Sequence, residues 1–170
     1  MFGAVTSRGL IPPNAPIYVS DLLQGYDPKP KSVTGQVYAD MLDEKIGPAV
    51  AELYKRGQAI WQDDPATVHR AGISISAVER NFRFRVPHDI QAPKMSDVWP
   101  NDNVWGILKY RVKSKDPKDK KELRKYINSE WRRISNDTSL CIRLMSSLPL
   151  RLKAVIKKKG SQIIKEDYSQ

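Results

Sequence analysis

Two acidic positions have the residue types and surroundings that could do chemistry. Asp63 lies in Ile60-Trp61-Gln62-Asp63-Asp64-Pro65, at the end of a short apolar run. Asp102 lies in Trp99-Pro100-Asn101-Asp102-Asn103-Val104-Trp105, at the mouth of a helical pattern. A magnesium site needs two or three carboxylates converging on one point, usually with several waters kept. Two such ions can activate an attacking oxygen and stabilise a leaving one in phosphodiester chemistry. The C-terminal end of a strand and the start of a helix are rigid places to mount such ligands. Plainer uses fit the same residues. Asp102 is a good helix N-cap, and Asp63-Asp64-Pro65 is a good turn.

Charge narrows the field. Residues 1–102 hold 11 Lys/Arg and 12 Asp/Glu, a net of −1, and residues 103–170 hold 18 and 7, a net of +11, which together make +10. A basic second part points to a polyanionic partner. Nucleic acid leads, an anionic membrane surface follows, and a merely well-solvated set of helices is the plain alternative. The chain of 170 residues, 40% hydrophobic and 28% charged, has the composition of an ordinary globular domain. No apolar run approaches the roughly 20 residues needed to cross a bilayer, and the opening residues do not form a secretory signal. The single cysteine, Cys141, sits in an apolar helical pattern and is expected to be a buried packing residue in a reducing compartment.

The elements that must position these residues follow from periodicity and punctuation. Phe2–Thr6 and Ala15–Val19 read as two strands joined by a longish loop, and residues 24–35 read as loop. Thr34 can cap a helix bearing Val37, Met41 and Leu42. Gly47-Pro48 interrupts it, with Pro48 opening a second segment that carries Val50, Leu53 and Tyr54. Gln58–Gln62 is a brief strand, 74–81 a short helix, and Phe82–Val86 alternates as a strand does. The strand–helix–strand order favours parallel pairing inside a mixed sheet. Residues 87–102 read mostly as loop. Helices are then expected over about 103–113, about 118–134, and from Thr138, capped by Asp137, to Lys159, with Pro149 kinking or breaking the last and Gly160 stopping it.

The two acidic motifs, in this order, resemble those of mariner-type DDE transposases. Gln62-Asp63-Asp64-Pro65 followed by His69-Arg70-Ala71 is similar to the motif holding that family's second catalytic aspartate. Trp99–Trp105 is similar to its tryptophan-proline, acidic residue, asparagine, apolar, tryptophan signature, in which the acidic residue is the third catalytic ligand. Phe2–Gly9 resembles the family's interior Gly-Ala strand and turn, and Val37–Leu42 its tyrosine-to-leucine helix. The resemblance covers residues 1–115. It implies an α/β fold, a ribonuclease H-like mixed sheet flanked by helices, incomplete at its N-terminus and followed by a basic helical part over 116–170. It implies magnesium- or manganese-dependent cleavage and strand transfer of DNA at transposon ends, in the nucleus, and it leaves room for a homodimer. Asp63 and Asp102 would bind the metals. Asp64 would be an accessory position, and His69 either a support for the site or a structural residue. Trp99 and Trp105 would be packing residues. Arg132-Arg133 and Lys157-Lys158-Lys159 would contact DNA phosphates without reading sequence.

The pattern departs from the family in three places. The interval between Asp63 and Asp102 is somewhat long. The serine-proline-aspartate-leucine segment before the third acid is replaced by Lys94-Met95-Ser96-Asp97-Val98. No Asp or Glu precedes Asp21, so the family's first catalytic aspartate is missing from these residues, as is its helix-turn-helix domain. The expectation is a partial copy of the catalytic domain without transposase activity of its own. A domesticated or relic DNA-binding module is the second reading. An unrelated basic helical protein, whose acidic motifs are turns and caps, is the third.

Overall fold

The computed structural model describes residues 1–55, 57–91 and 95–169, so Lys94 of the segment before the third acid lies outside the described residues. The chain is mixed α/β and mostly helical, with two two-stranded sheets among the described residues. It clusters into two compact units, one of Met1–Phe2 with Ile17–Pro93, the other of Gly3–Pro16 with Lys94–Gln170.

The first unit is built on helices α1 (Val19–Gln24), α2 (Gly35–Met41), α3 (Gly47–Leu53) and α4 (Gly72–Asn81), with strands β3 (Ile60–Trp61) and β4 (Phe84–Arg85). Thr34 caps α2 as expected, its side chain accepting from the Val37 N–H at 3.3 Å. A second segment starts at Gly47-Pro48 as expected, with Pro48 in the first turn of α3, but the chain stays on a helical path. A π-helical turn over Leu42–Ile46 carries α2 into α3. Pro48 has no N–H and its ring would clash with the carbonyl four residues back, and widening the preceding turn accommodates both. Val37, Tyr38, Met41, Leu42, Ile46, Ala77 and Val78 are all buried, and they give α2, the π-helical turn and α4 their packed faces. β3 and β4 pair in parallel, with Ile60 opposite Phe84 and Trp61 opposite Arg85. Trp61 stacks on Phe82 at 4.7 Å between ring centroids.

The second unit contains β1 (Ala4–Thr6), β2 (Gly9–Ile11) and helices α5 (Pro100–Lys113), α6 (Lys120–Asn136), α7 (Thr138–Ser146) and α8 (Leu148–Lys157). Here the expected hairpin is corrected. β1 pairs antiparallel with Gly9–Ile11, not with Ala15–Val19. The turn is tight because the Thr6 hydroxyl accepts from the Arg8 N–H and donates to the Gly9 carbonyl, each at 3.0 Å, and Gly9 takes φ +137°, which favours glycine. Residues 15–19 supply only an isolated bridge, Phe2 to Ile17, within the first unit, and then turn into α1. The described strands therefore form two separate sheets instead of one mixed sheet.

Trp131, fully buried on α6, organises the second unit. Its indole N–H donates to the Pro12 carbonyl at 2.7 Å and its ring lies 5.2 Å from that of Trp105 on α5. Leu10 and Ile11 of β2, Ile127 and Ile134 of α6, and Val104, Leu108 and Val112 of α5 are buried as well, and α5 packs on α6. Asp119 caps α6 and Asp137 caps α7, accepting from the Glu122 and Leu140 N–H groups at 2.8 and 2.9 Å. Pro149 does break the last helix: α7 ends at Ser146 and α8 begins at Leu148, with Pro149 in its first turn. Gly160, at φ +85°, follows its end. Cys141 is buried as expected. No described helix is long and apolar enough to cross a membrane.

Candidate functional site: the acidic positions and the basic helices

Asp63 sits just beyond β3, held by side chains from three other segments. It is 9% exposed. The parallel register sets Trp61 against Arg85, and side chains two residues apart share a face, so Asp63 meets Arg85 on one side of the sheet. The Arg85 guanidinium engages it side-on: Nε donates to Oδ1 at 3.1 Å, and Nη2 donates to Oδ2 at 2.7 Å and to Oδ1 at 2.8 Å. The Tyr38 hydroxyl, from α2, donates to Oδ2 at 2.7 Å. His88 brings Nε2 to 2.9 Å from Oδ1, and that nitrogen is also 2.9 Å from Arg85 Nη2. Arg85 reaches further to the His69 carbonyl at 3.0 Å.

The electrostatics follow from these contacts. Burial alone would raise the Asp63 carboxyl, but the hydrogen bonds from Arg85 and Tyr38, the Arg85 charge and His88 outweigh it and hold the group below the usual carboxylate range. Burial pushes the Tyr38 hydroxyl well up, and the Asp63 charge beside it pushes the same way. Asp63 is therefore an ionised carboxylate whose charge is already matched. An ionised carboxylate offers about four lone-pair positions, and here protein donors occupy both oxygens. A divalent ion at Asp63 would have to displace these donors beside a fixed guanidinium. The residues around Asp63 do not fit magnesium or manganese. Among the described residues, no group of three or more His, Cys, Asp and Glu side chains could hold a metal.

His69 is buried and structural in its contacts. Its Nδ1 lies 3.0 Å from the Asp64 carbonyl and 2.7 Å from the Asp64 carboxylate, and its ring packs 4.2 Å from that of Tyr38. Asp64 is largely exposed and serves this contact.

Asp102 belongs to the second unit. Asp102 is not the helix cap expected for it. Trp99 is the N-cap residue and Pro100 the first helical one, which puts Asp102 in the first turn, where a carboxylate complements the helix dipole. It lines an open cleft of about 260 Å³ with Ser96, Asp97, Asn103, Lys165 and Tyr168 among its walls. Asp97 is fixed there, its carboxylate accepting from the Ile163 N–H at 2.9 Å. Trp99 packs, as expected, against a cluster of Val98, Ala154 and Ile163, and Trp105 packs on Trp131.

The basic residues are also in this unit. The core face of α6 uses Ile127, Glu130, Trp131, Ile134 and Ser135. Lys121, Lys125 and Arg132 recur at helical spacing on the opposite, exposed side. Arg132 and Arg133 are exposed, and Arg133 reaches the buried Glu130 only at 3.9 Å. Glu130 also pairs with Lys115 at 3.2 Å. At the end of α8, Lys157 and Lys159 are exposed, and Lys158 is tied to Asp167 at 2.9 Å.

Arg85, His88 and Tyr38 are the residues of this site that sequence reading passed over. The alternation of Phe82-Arg83-Phe84-Arg85-Val86 hinted that the arginines share a face, but not which face or what it meets. No protein-family model matches the chain, and no curated protein matches it.

Proposed function

We propose that this chain derives from a mariner-type DDE transposase catalytic domain, with the ribonuclease H-like ancestry that implies, and that it binds DNA without cutting it. DNA binding falls to the basic helices of the second unit. The observation that carries this reading is the exposed cationic side of α6, Lys121, Lys125 and Arg132, set opposite its apolar core face and joined in charge by Arg133, Lys157 and Lys159. Such a surface suits a regularly spaced row of phosphates and gives sequence-independent affinity.

The ancestry is supported by the two motifs around Asp63 and Asp102, in family order. The absence of cutting is supported by the state of Asp63. A second catalytic aspartate would have to offer lone pairs to a metal, and those of Asp63 are taken by Arg85, Tyr38 and His88. What remains is a carboxylate that holds the first unit together and a basic surface that holds a polyanion. A nuclear location goes with this reading, since the partner is chromosomal DNA.

Supercoiled plasmid incubated with the chain and either MgCl2 or MnCl2 tests both halves. Retarded plasmid that stays supercoiled is the expected result. Nicked or linear product that disappears with Asp63→Asn contradicts it.

A further inference from the structure

We propose that Arg85 is the resident cation at Asp63: its guanidinium supplies the positive charge that a divalent ion would otherwise bring, and thereby keeps such an ion out. The role stands on contacts within the first unit, and DNA binding by the second can fail without touching it.

Three features of the geometry point this way. First, the pairing is side-on and uses both carboxylate oxygens, the arrangement in which a guanidinium matches a carboxylate best. Second, the arginine is itself fixed, because its Nη2 also reaches the His69 carbonyl at 3.0 Å, and its side chain is only 15% exposed. It cannot swing aside without leaving its own charge poorly solvated. Third, the remaining donors are of metal-binding type. Tyr38 Oη and His88 Nε2 stand 2.7 and 2.9 Å from the same carboxylate, so an oxygen and an imidazole nitrogen already converge on one place. A carboxylate with an imidazole beside it is a donor pair that manganese accepts. What forbids the ion is the like charge of Arg85. A fixed positive charge within a few ångströms of a buried site repels a dication far more strongly than it would in water.

The role predicts a latent site. Arg85→Gln removes the charge, keeps a polar but shorter side chain, and leaves the Asp63 carboxyl beside Tyr38 and His88. Free Mn2+ can be followed by its electron paramagnetic resonance signal while it is titrated with the whole chain, in the wild type, in Asp63→Asn, in Arg85→Gln and in the double variant. The expected result is no Asp63-dependent Mn2+ uptake by the wild type. Arg85→Gln should take up Mn2+ on the order of tenfold or more tightly, and the double variant should lose that gain. Two results overturn the proposal: wild-type uptake that Asp63→Asn abolishes, or a folded Arg85→Gln protein that binds Mn2+ no better than the wild type. Circular dichroism reports whether Arg85→Gln folds. If it does not, the comparison of wild type with Asp63→Asn decides alone, with equal uptake by the two supporting the resident-cation role and an Asp63-dependent difference overturning it.

Discussion

Arg85 and Asp63 meet across a two-residue parallel strand pair, with Nε on one carboxylate oxygen at 3.1 Å and Nη2 on the other at 2.7 Å. The pair joins segments far apart in the chain: the end of β3, β4, and through Tyr38 and His88 the helix α2 and the turn at His88–Ile90. Removing one partner leaves the other buried with its charge uncompensated, which costs more than the pair itself contributes. Asp63→Ala should therefore lower the free energy of unfolding by about 3 kcal/mol, read from urea denaturation. A loss within about 0.5 kcal/mol, the range of neutral surface changes, would show that the pair does not hold this unit.

The same pair sets a pH dependence. The folded Asp63 carboxyl is held below its unfolded value, so its contribution to stability is present above about pH 4 and is lost as pH falls through the lower folded value. Asp137, through the Leu140 N–H, and Asp167, through the Ile164 N–H, are depressed too, so the wild type loses stability in acid for several reasons. The difference between wild type and Asp63→Asn isolates one of them. That difference should be largest at neutral pH and shrink steadily below about pH 4, as followed by urea midpoints across an acid series. A gap that is constant with pH would remove the ionised carboxylate from the account.

The second unit turns on Trp131. Trp131→Phe keeps most of the packing against Trp105 and deprives the Pro12 carbonyl of its donor, so it should cost about 1–3 kcal/mol. Gly3→Ala attacks the same place from the other side. A methyl group there would lie 2.3 Å from the Trp131 ring edge, and shifting a fully buried indole should cost about 1–3 kcal/mol. Both effects are read from thermal or urea unfolding. If Gly3→Ala melts with the wild type, β1 approaches α6 less closely than this spacing requires.

What local chemistry determines was legible in the sequence. Thr34 and Asp137 cap the helices expected of them, Pro149 separates α7 from α8, and Gly160 follows the last turn, because each acts through its own backbone neighbours. What depends on partners far along the chain was not. A local turn was missed as well: Ala15–Val19 looked like the partner strand of Phe2–Thr6, although Thr6 and Gly9 build a turn tight enough for Gly9–Ile11 to return at once. Pro48 was legible as the start of α3, but the π-helical turn that joins α2 to it was not. Asp63 was legible as a special acidic residue, but its partner was not. An arginine on an alternating run declares its target only when the register of β3 on β4 is known.

Binding of DNA by the basic helices of the second unit, as proposed, would depend steeply on salt. Fluorescein-labelled duplex DNA titrated with the whole chain, followed by anisotropy between about 50 and 200 mM salt, should give an affinity that falls linearly on a double-logarithmic plot. The slope should be about −0.9 for each phosphate neutralised. Replacing Arg132 and Arg133 with alanine, or Lys157, Lys158 and Lys159 with alanine, should weaken binding on every sequence alike and flatten the slope by about one for each phosphate no longer neutralised. No binding at the lowest salt, or an affinity that neither salt nor these replacements changes, would rule out DNA binding by these basic residues.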